Sequence, residues 1–131
     1  MGAKTYNCPV EATIDVIGGK WKPLILWWLH QQTYRFAELR RLIPGITEKM
    51  LSQQLRELEA DGIVDRVVYP TAPPKVEYSL TDYGRSLERA LHEICAWGRL
   101  HMQRIGAVES QPDPAQSERK QDKTSTGSIG R

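Results

Sequence analysis

The sequence GITEKMLSQQLRELEADGIV occupies Gly45–Val64 and holds the chain's densest set of groups suited to recognition. On a helix, each residue advances about 100°, so Lys49, Gln53 and Arg56 share one face, with Ser52 at its edge. Those four positions carry two cations, an amide and a hydroxyl, and no carboxylate. Such groups suit the DNA major groove: Gln53 and Ser52 can read base edges, Arg56 guanine or a phosphate, and Lys49 a phosphate. An ordinary solvated helix face is the competing reading. Thr47, just before the helix, can reach a phosphate, because the backbone N–H groups of a helix start bind anions; it can equally serve as a plain N-cap. Arg35, Arg40 and Arg41 upstream are further phosphate candidates. Downstream, Arg66 and Lys75 flank a loop whose own residues, Thr71–Pro74, include no cation; the competing reading for these two is solvated strand charge.

Two cysteines are too few for a disulfide framework, but Cys8 stands directly before Pro9 at a helix start. The unpaired N–H groups there favour a thiolate, which reacts with electrophiles and oxidants. An incidental reduced thiol is the alternative. His92 and Cys95 have an i, i+3 spacing compatible with metal ligation, yet two or three ligands on one helix face without a fourth make a poor site, so coincidence is the expectation. His30 and His101 read as packing or surface residues, and Trp21, Trp27, Trp28 and Trp97 as core or dimer contacts. The sequence has no G-x-S-x-G, phosphate-binding loop, H-E-x-x-H or paired C-x-x-C. Neither an enzyme nor a cofactor-dependent protein is expected.

The elements that must position these residues follow from periodicity. Val10, Ile14 and Ile17 form a stripe on a first helix opened by Pro9, a favoured first helical residue, and stopped by Gly18-Gly19. A second helix is expected to start with Pro23; its body, Leu24–Leu29, is apolar on nearly every side and belongs in the middle of a bundle. Gln31–Arg35 reads as a polar connection. Phe36, Leu39 and Ile43 mark a short third helix, closed by Pro44-Gly45. Leu51, Leu55 and Leu58 give the fourth helix an apolar stripe, with Ile46 placed to staple against Leu51 and Asp61-Gly62 to end it. Two helices joined by a tight glycine-containing turn make the helix-turn-helix pattern.

The period then changes to that of strands over Ile63–Tyr69 and Lys75–Leu80. Pro70–Pro74 between them cannot continue a ladder and forms a loop. A hairpin after a helix-turn-helix is a wing. The expected fold is therefore mainly α with a small β-wing: a winged helix-turn-helix. Thr81 or Asp82 caps a last long helix through Tyr83, Leu87, Leu91, Ile94, Gly98, Met102 and Ile105, whose length suggests dimerisation through terminal helices.

With 131 residues, one domain is expected: an arm at 1–7, a DNA-binding and dimerisation domain at 8–107, and a tail at 108–131 that reads as disordered from its Ser, Gln, Pro and Lys content. Composition is 40% hydrophobic and 26% charged, which permits a buried core, and the formal net charge of +2 is too small for binding nucleic acid by charge alone. Met1–Asn7 lacks the apolar stretch of a signal peptide, and Leu24–Leu29 is too short to span a bilayer, so a cytoplasmic location is expected.

The sequence resembles the HxlR-type transcription regulators, winged-helix proteins related to the MarR group. The matching features are Cys8-Pro9-Val10, Ile17-Gly18-Gly19-Lys20-Trp21, Arg35-Phe36-x-x-Leu39, Ile46-Thr47, Met50-Leu51-x-x-x-Leu55-x-x-Leu58, Asp61-Gly62-Ile63-Val64, and Pro74-x-Val76-x-Tyr78-x-Leu80-Thr81-x-x-Gly84. They run from Cys8 to about Met102. The resemblance implies sequence-specific binding of double-stranded promoter DNA as a homodimer. Some members sense electrophiles or oxidants through a cysteine just before the first helix, and Cys8 falls on that position. The rival readings are a regulator answering to a small-molecule ligand and a winged helix that binds protein in place of DNA.

Overall fold

The computed structural model describes residues 3–110. Most of the tail expected beyond Ala107 therefore lies outside the described residues. Two compact units divide the chain, Met1–Leu91 and His92–Arg131.

In the first unit, α1 (Pro9–Ile17) starts with proline in its first turn and ends at Gly18. Only Ile17 of its expected stripe is buried, while Val10 and Ile14 are 64% and 60% exposed. Helix α2 spans Trp21–Leu29 and so begins two residues before Pro23. Proline is tolerated there because the first-turn N–H groups have no intrahelical partner. Ile25, Leu26 and Leu29 are buried, but Leu24 is exposed and Trp27 and Trp28 are half-buried, so α2 is less enclosed than its composition suggests.

The expected polar connection at Gln31–Arg35 contains a strand, β1 (Tyr34–Arg35). Two residues are too few to display a period, which is why the pattern is silent there. Helix α3 covers Phe36–Leu42, and Glu38 closes its first turn by accepting from the Arg35 N–H at 2.8 Å. Helix α4 (Glu48–Ala60) follows, and α3 and α4 together form the helix-turn-helix.

Strands β2 (Val64–Tyr69) and β3 (Lys75–Leu80) pair antiparallel, with Arg66 opposite Tyr78 and Tyr69 opposite Lys75. Tyr34 pairs with Tyr78 on the other side of β3, giving a three-stranded sheet in the order β1-β3-β2. The fold is a winged helix.

The single long helix expected from Thr81 is in fact two, α5 (Asp82–Arg85) and α6 (Glu88–Ile105). Thr81 caps α5, accepting from the Gly84 N–H at 2.9 Å. The Ser86 hydroxyl bonds the Tyr83 carbonyl, a local bond that competes with helix continuation.

One core unites the first unit: Leu39 and Ile43 of the α3 region, Leu51, Leu55 and Leu58 of α4, the buried face of α2, and Ile63, Val64 and Leu80 of the wing base. In the second unit α6 continues from His92; Trp97 stacks on His101 with centroids 5.4 Å apart, and Arg99 pairs with Glu109 at 3.0 Å. No helix among the described residues is long and apolar enough to cross a membrane.

Candidate nucleic-acid interface

Three local devices hold α4 in place. The Thr47 hydroxyl accepts from the Met50 N–H at 3.1 Å, an N-cap that satisfies one of the free donors of the first turn. Ile46 before the cap and Leu51 after it are both buried, as a hydrophobic staple requires. At the far end Gly62 takes φ +75, a conformation that favours glycine. Its N–H reaches Glu59 O at 3.0 Å and that of Ile63 reaches Leu58 O at 2.9 Å, the two bonds of a Schellman stop. The wing is tied to this stop: the Thr81 N–H donates to Ile63 O at 3.0 Å, and the Thr81 hydroxyl donates to Gly62 O.

With Leu51, Leu55 and Leu58 buried, the opposite face of α4 is left to solvent. Thr47, Lys49, Gln53 and Arg56 are exposed and Ser52 is half-buried at the edge. Ser52 and Arg56 join Arg66 of β2 along a groove of about 510 Å³ between α4 and the wing, floored by Phe36, Val76 and Tyr78. Glu59 also lines it and is the carboxylate within that set.

The remaining expected contacts are distributed differently. Lys75 is held on the wing by Glu77 at 2.9 Å and lies 5.2 Å from the centre of the Tyr69 ring. That bond, strongest among several influences, keeps the Glu77 carboxyl below its usual range. Arg35 and Arg41 border a separate hollow with Glu38 and Glu77. Arg40 is paired with Glu48 at 3.0 Å, bridging α3 to the first turn of α4. Thus the structure gathers Ser52, Arg56 and Arg66, leaves Thr47, Lys49 and Gln53 on the neighbouring helix surface, and engages Lys75 and Arg40 with carboxylates.

The sequence reading overlooks Lys22. Its side chain is only 12% exposed, and its ammonium reaches Glu57 of α4 at 2.9 Å. Glu57 is held below its usual carboxylate range chiefly by this lysine, with a small further lowering from the neighbouring Gln53 amide. A lysine inside an otherwise apolar helix was the available signal, since a buried ammonium needs a partner.

Cys8 is exposed at the N-cap of α1, and its thiol makes no capping hydrogen bond. Glu11 turns back to accept from the Asn7 N–H at 2.9 Å. The arm before Cys8 is fastened to the same helix: Lys4 and Tyr6 each reach Asp15 at 2.6 Å.

A family profile described as HxlR-like helix-turn-helix matches residues 16–106. The HTH-type transcriptional regulator YtcD of Bacillus subtilis (strain 168) is 59% identical over 105 residues, covering 80% of this chain and 83% of that protein. Among solved structures, the redox regulator HypR in its oxidized form superimposes with a TM-score of 0.68 at 56% identity, over 70% of this chain and 95% of that one. Diamide-treated YodB from B. subtilis gives 0.61 at 38% identity, over 71% of this chain and 93% of that one.

Proposed function

The chain belongs to the HxlR-like helix-turn-helix family and is a transcriptional regulator of HTH type, and we propose that it reads promoter DNA as a homodimer through α4. The observation that carries this reading is the helix held by its N-cap, staple and Schellman stop, which exposes Lys49, Gln53 and Arg56 beside a groove that also receives Arg66 from the wing. Gln53, Ser52 and Arg56 meet base edges; Thr47, Lys49, Arg35 and Arg66 meet phosphates, and Lys75 does so on exchanging its ion pair. Two copies of α4 enter successive major grooves about 34–36 Å apart on a roughly palindromic site. Mobility shift against the region upstream of its own gene tests this, with Gln53→Ala and Arg56→Ala as controls. Sequence-specific retention lost in either variant supports it, and binding indifferent to sequence and to both substitutions refutes it.

The input we propose is Cys8. It is exposed at the start of a helix whose apolar residues Val10 and Ile14 are themselves exposed. HypR is a redox regulator and YodB was solved after diamide treatment, which supports a thiol signal in this chain too. An electrophile or oxidant modifying Cys8 would reposition α1 and, through the dimer, the two copies of α4. Wild type is expected to release DNA on diamide treatment and Cys8→Ser to retain it. Equal release from both excludes Cys8. A hollow of about 340 Å³ between α1 and the α5 region, lined by Tyr6, Val16, Ile17, Tyr83 and Leu87, supports the rival input, a small-molecule ligand, which indifference to thiol reagents would favour.

A further inference from the structure

The helix proposed to meet a polyanion, α4, carries three glutamates: Glu48, Glu57 and Glu59. Glu59 lines the groove with Arg56 and Arg66. Each of the others is met by a cation from another helix, Glu48 by Arg40 of α3 at 3.0 Å and Glu57 by Lys22 of α2 at 2.9 Å. The first pair is open, with side chains 49% and 70% exposed, and such pairs hold weakly. In the second, a cation only 12% exposed holds a carboxylate that is 46% exposed. Stability alone does not explain this lysine. It stands in the first turn of α2, where the helix dipole disfavours a cation, and its burial adds a desolvation cost. An apolar residue would pack at least as well, since buried ion pairs are often replaced by apolar groups without loss. What Lys22 supplies is charge, delivered at Glu57. Four residues after Gln53, Glu57 lies about 40° round α4 from it, and so borders the outward face that also presents Lys49 and Arg56.

We infer that Lys22 sets DNA affinity through Glu57: it holds and neutralises the carboxylate bordering the outward face of α4, so that this face approaches phosphates without repulsion. The inference rests on the reading of α4 as the DNA-reading helix. Without Lys22, the ionised Glu57 opposes each phosphate within a Debye length, about 10 Å at 0.1 M salt. Without Glu57, the charge of Lys22 is uncompensated and attracts those phosphates. The two single substitutions therefore act in opposite directions on binding. On stability the order reverses, because Lys22→Met leaves a solvated carboxylate whereas Glu57→Gln strands a largely buried ammonium. A pair that only braced α4 against α2 would weaken binding in both variants.

The test measures affinity of the full chain for a duplex enriched by wild type from a randomised library, at about 50 and about 300 mM salt. Lys22→Met is expected to bind roughly three- to fivefold more weakly at the lower salt, with the loss shrinking at the higher, as screening of a few like-charge contacts requires. Glu57→Gln is expected to bind as tightly as wild type or up to about threefold more tightly, despite a lower melting temperature. Lys22→Met combined with Glu57→Gln removes both charges and should return to within about twofold of wild type. Should Glu57→Gln fail to fold, comparing the double variant with Lys22→Met carries the result, because the two differ by that one carboxylate. Undiminished binding by Lys22→Met, weaker binding by Glu57→Gln, or a double variant as weak as Lys22→Met overturns the inference alone. No enriched sequence, or binding unmoved by Gln53→Ala and Arg56→Ala, overturns the reading of α4, and this inference with it.

Discussion

Thr47 combines two roles that one substitution separates. Its hydroxyl caps α4 through the Met50 N–H, and it stands at the helix pole where a phosphate would bind. Thr47→Ala should cost about 1 kcal/mol of stability in urea unfolding, the usual scale of a lost N-cap. Thr47→Ser restores the hydroxyl and should recover both stability and DNA affinity. Asp15 makes a second residue-scale case. Lys4 lowers its carboxyl below the ordinary value of 3.8, with the Tyr6 hydroxyl adding to the effect. A depressed carboxylate contributes its stabilisation above its unfolded pKa and loses it as pH falls through the lower, folded one. The arm should therefore stay fastened to α1 at neutral pH and through pH 4, and detach only under more acid conditions. Titrating the Tyr6 ring signals by NMR checks this; release between pH 5 and 7 would contradict it. Because Lys4 and Asp15 both lie at the surface, salt should weaken the contact as well.

At the scale of elements, the joint between α4, the wing and α5 is more constrained than its polar sequence suggests. A Cβ on Gly84 would stand 2.2 Å from the Ile63 carbonyl oxygen, a backbone atom unable to move aside without disturbing the Schellman stop. Gly84→Ala should thus destabilise the protein by about 1–3 kcal/mol, the cost of forcing atoms into a filled site, measurable as a shifted urea midpoint. The spacing of Asp61-Gly62-Ile63 and Thr81-x-x-Gly84 is legible in the sequence, but the contact between them is not, since it joins residues 21 apart in the chain. The same distinction runs through the fold. Leu51, Leu55 and Leu58, the Thr47 cap and the wing strands were all legible because each is a local or periodic signal. Strand β1 was not, because Tyr34 and Arg35 are strand only by pairing with β3. The break after α5 was hidden because Tyr83, Leu87 and Leu91 keep helical spacing across it. For the site, periodicity exposes the α4 face, whereas the partners of Arg40 and Lys22 depend on packing between elements that no local pattern records.

The whole molecule must bind DNA with a net charge of only +2. Charge that modest leaves affinity to a limited set of placed phosphate contacts, and pairing two copies doubles the set. Each unit supplies apolar surface for such pairing: Val10 and Ile14 on α1, and, on α6, Ile94, Trp97 and Leu100, which are 53%, 66% and 63% exposed. Exposed apolar groups at helical spacing mark surfaces that associate, and a two-fold pair is the simplest closed arrangement. A charge placed in that surface would be buried unpaired in a dimer and solvated in a monomer. Ile94→Asp combined with Trp97→Asp should therefore shift sedimentation from dimer to monomer while leaving the far-UV CD spectrum nearly unchanged. The same variant also tests the count of phosphates. The logarithm of the binding constant falls against the logarithm of salt with a slope of about −0.9 per phosphate neutralised. A monomer engaging one half-site should show about half the wild-type slope along with weaker binding. An unaltered slope from a protein that sediments as a monomer would mean that one copy makes all the contacts, and the paired reading of the operator would fail.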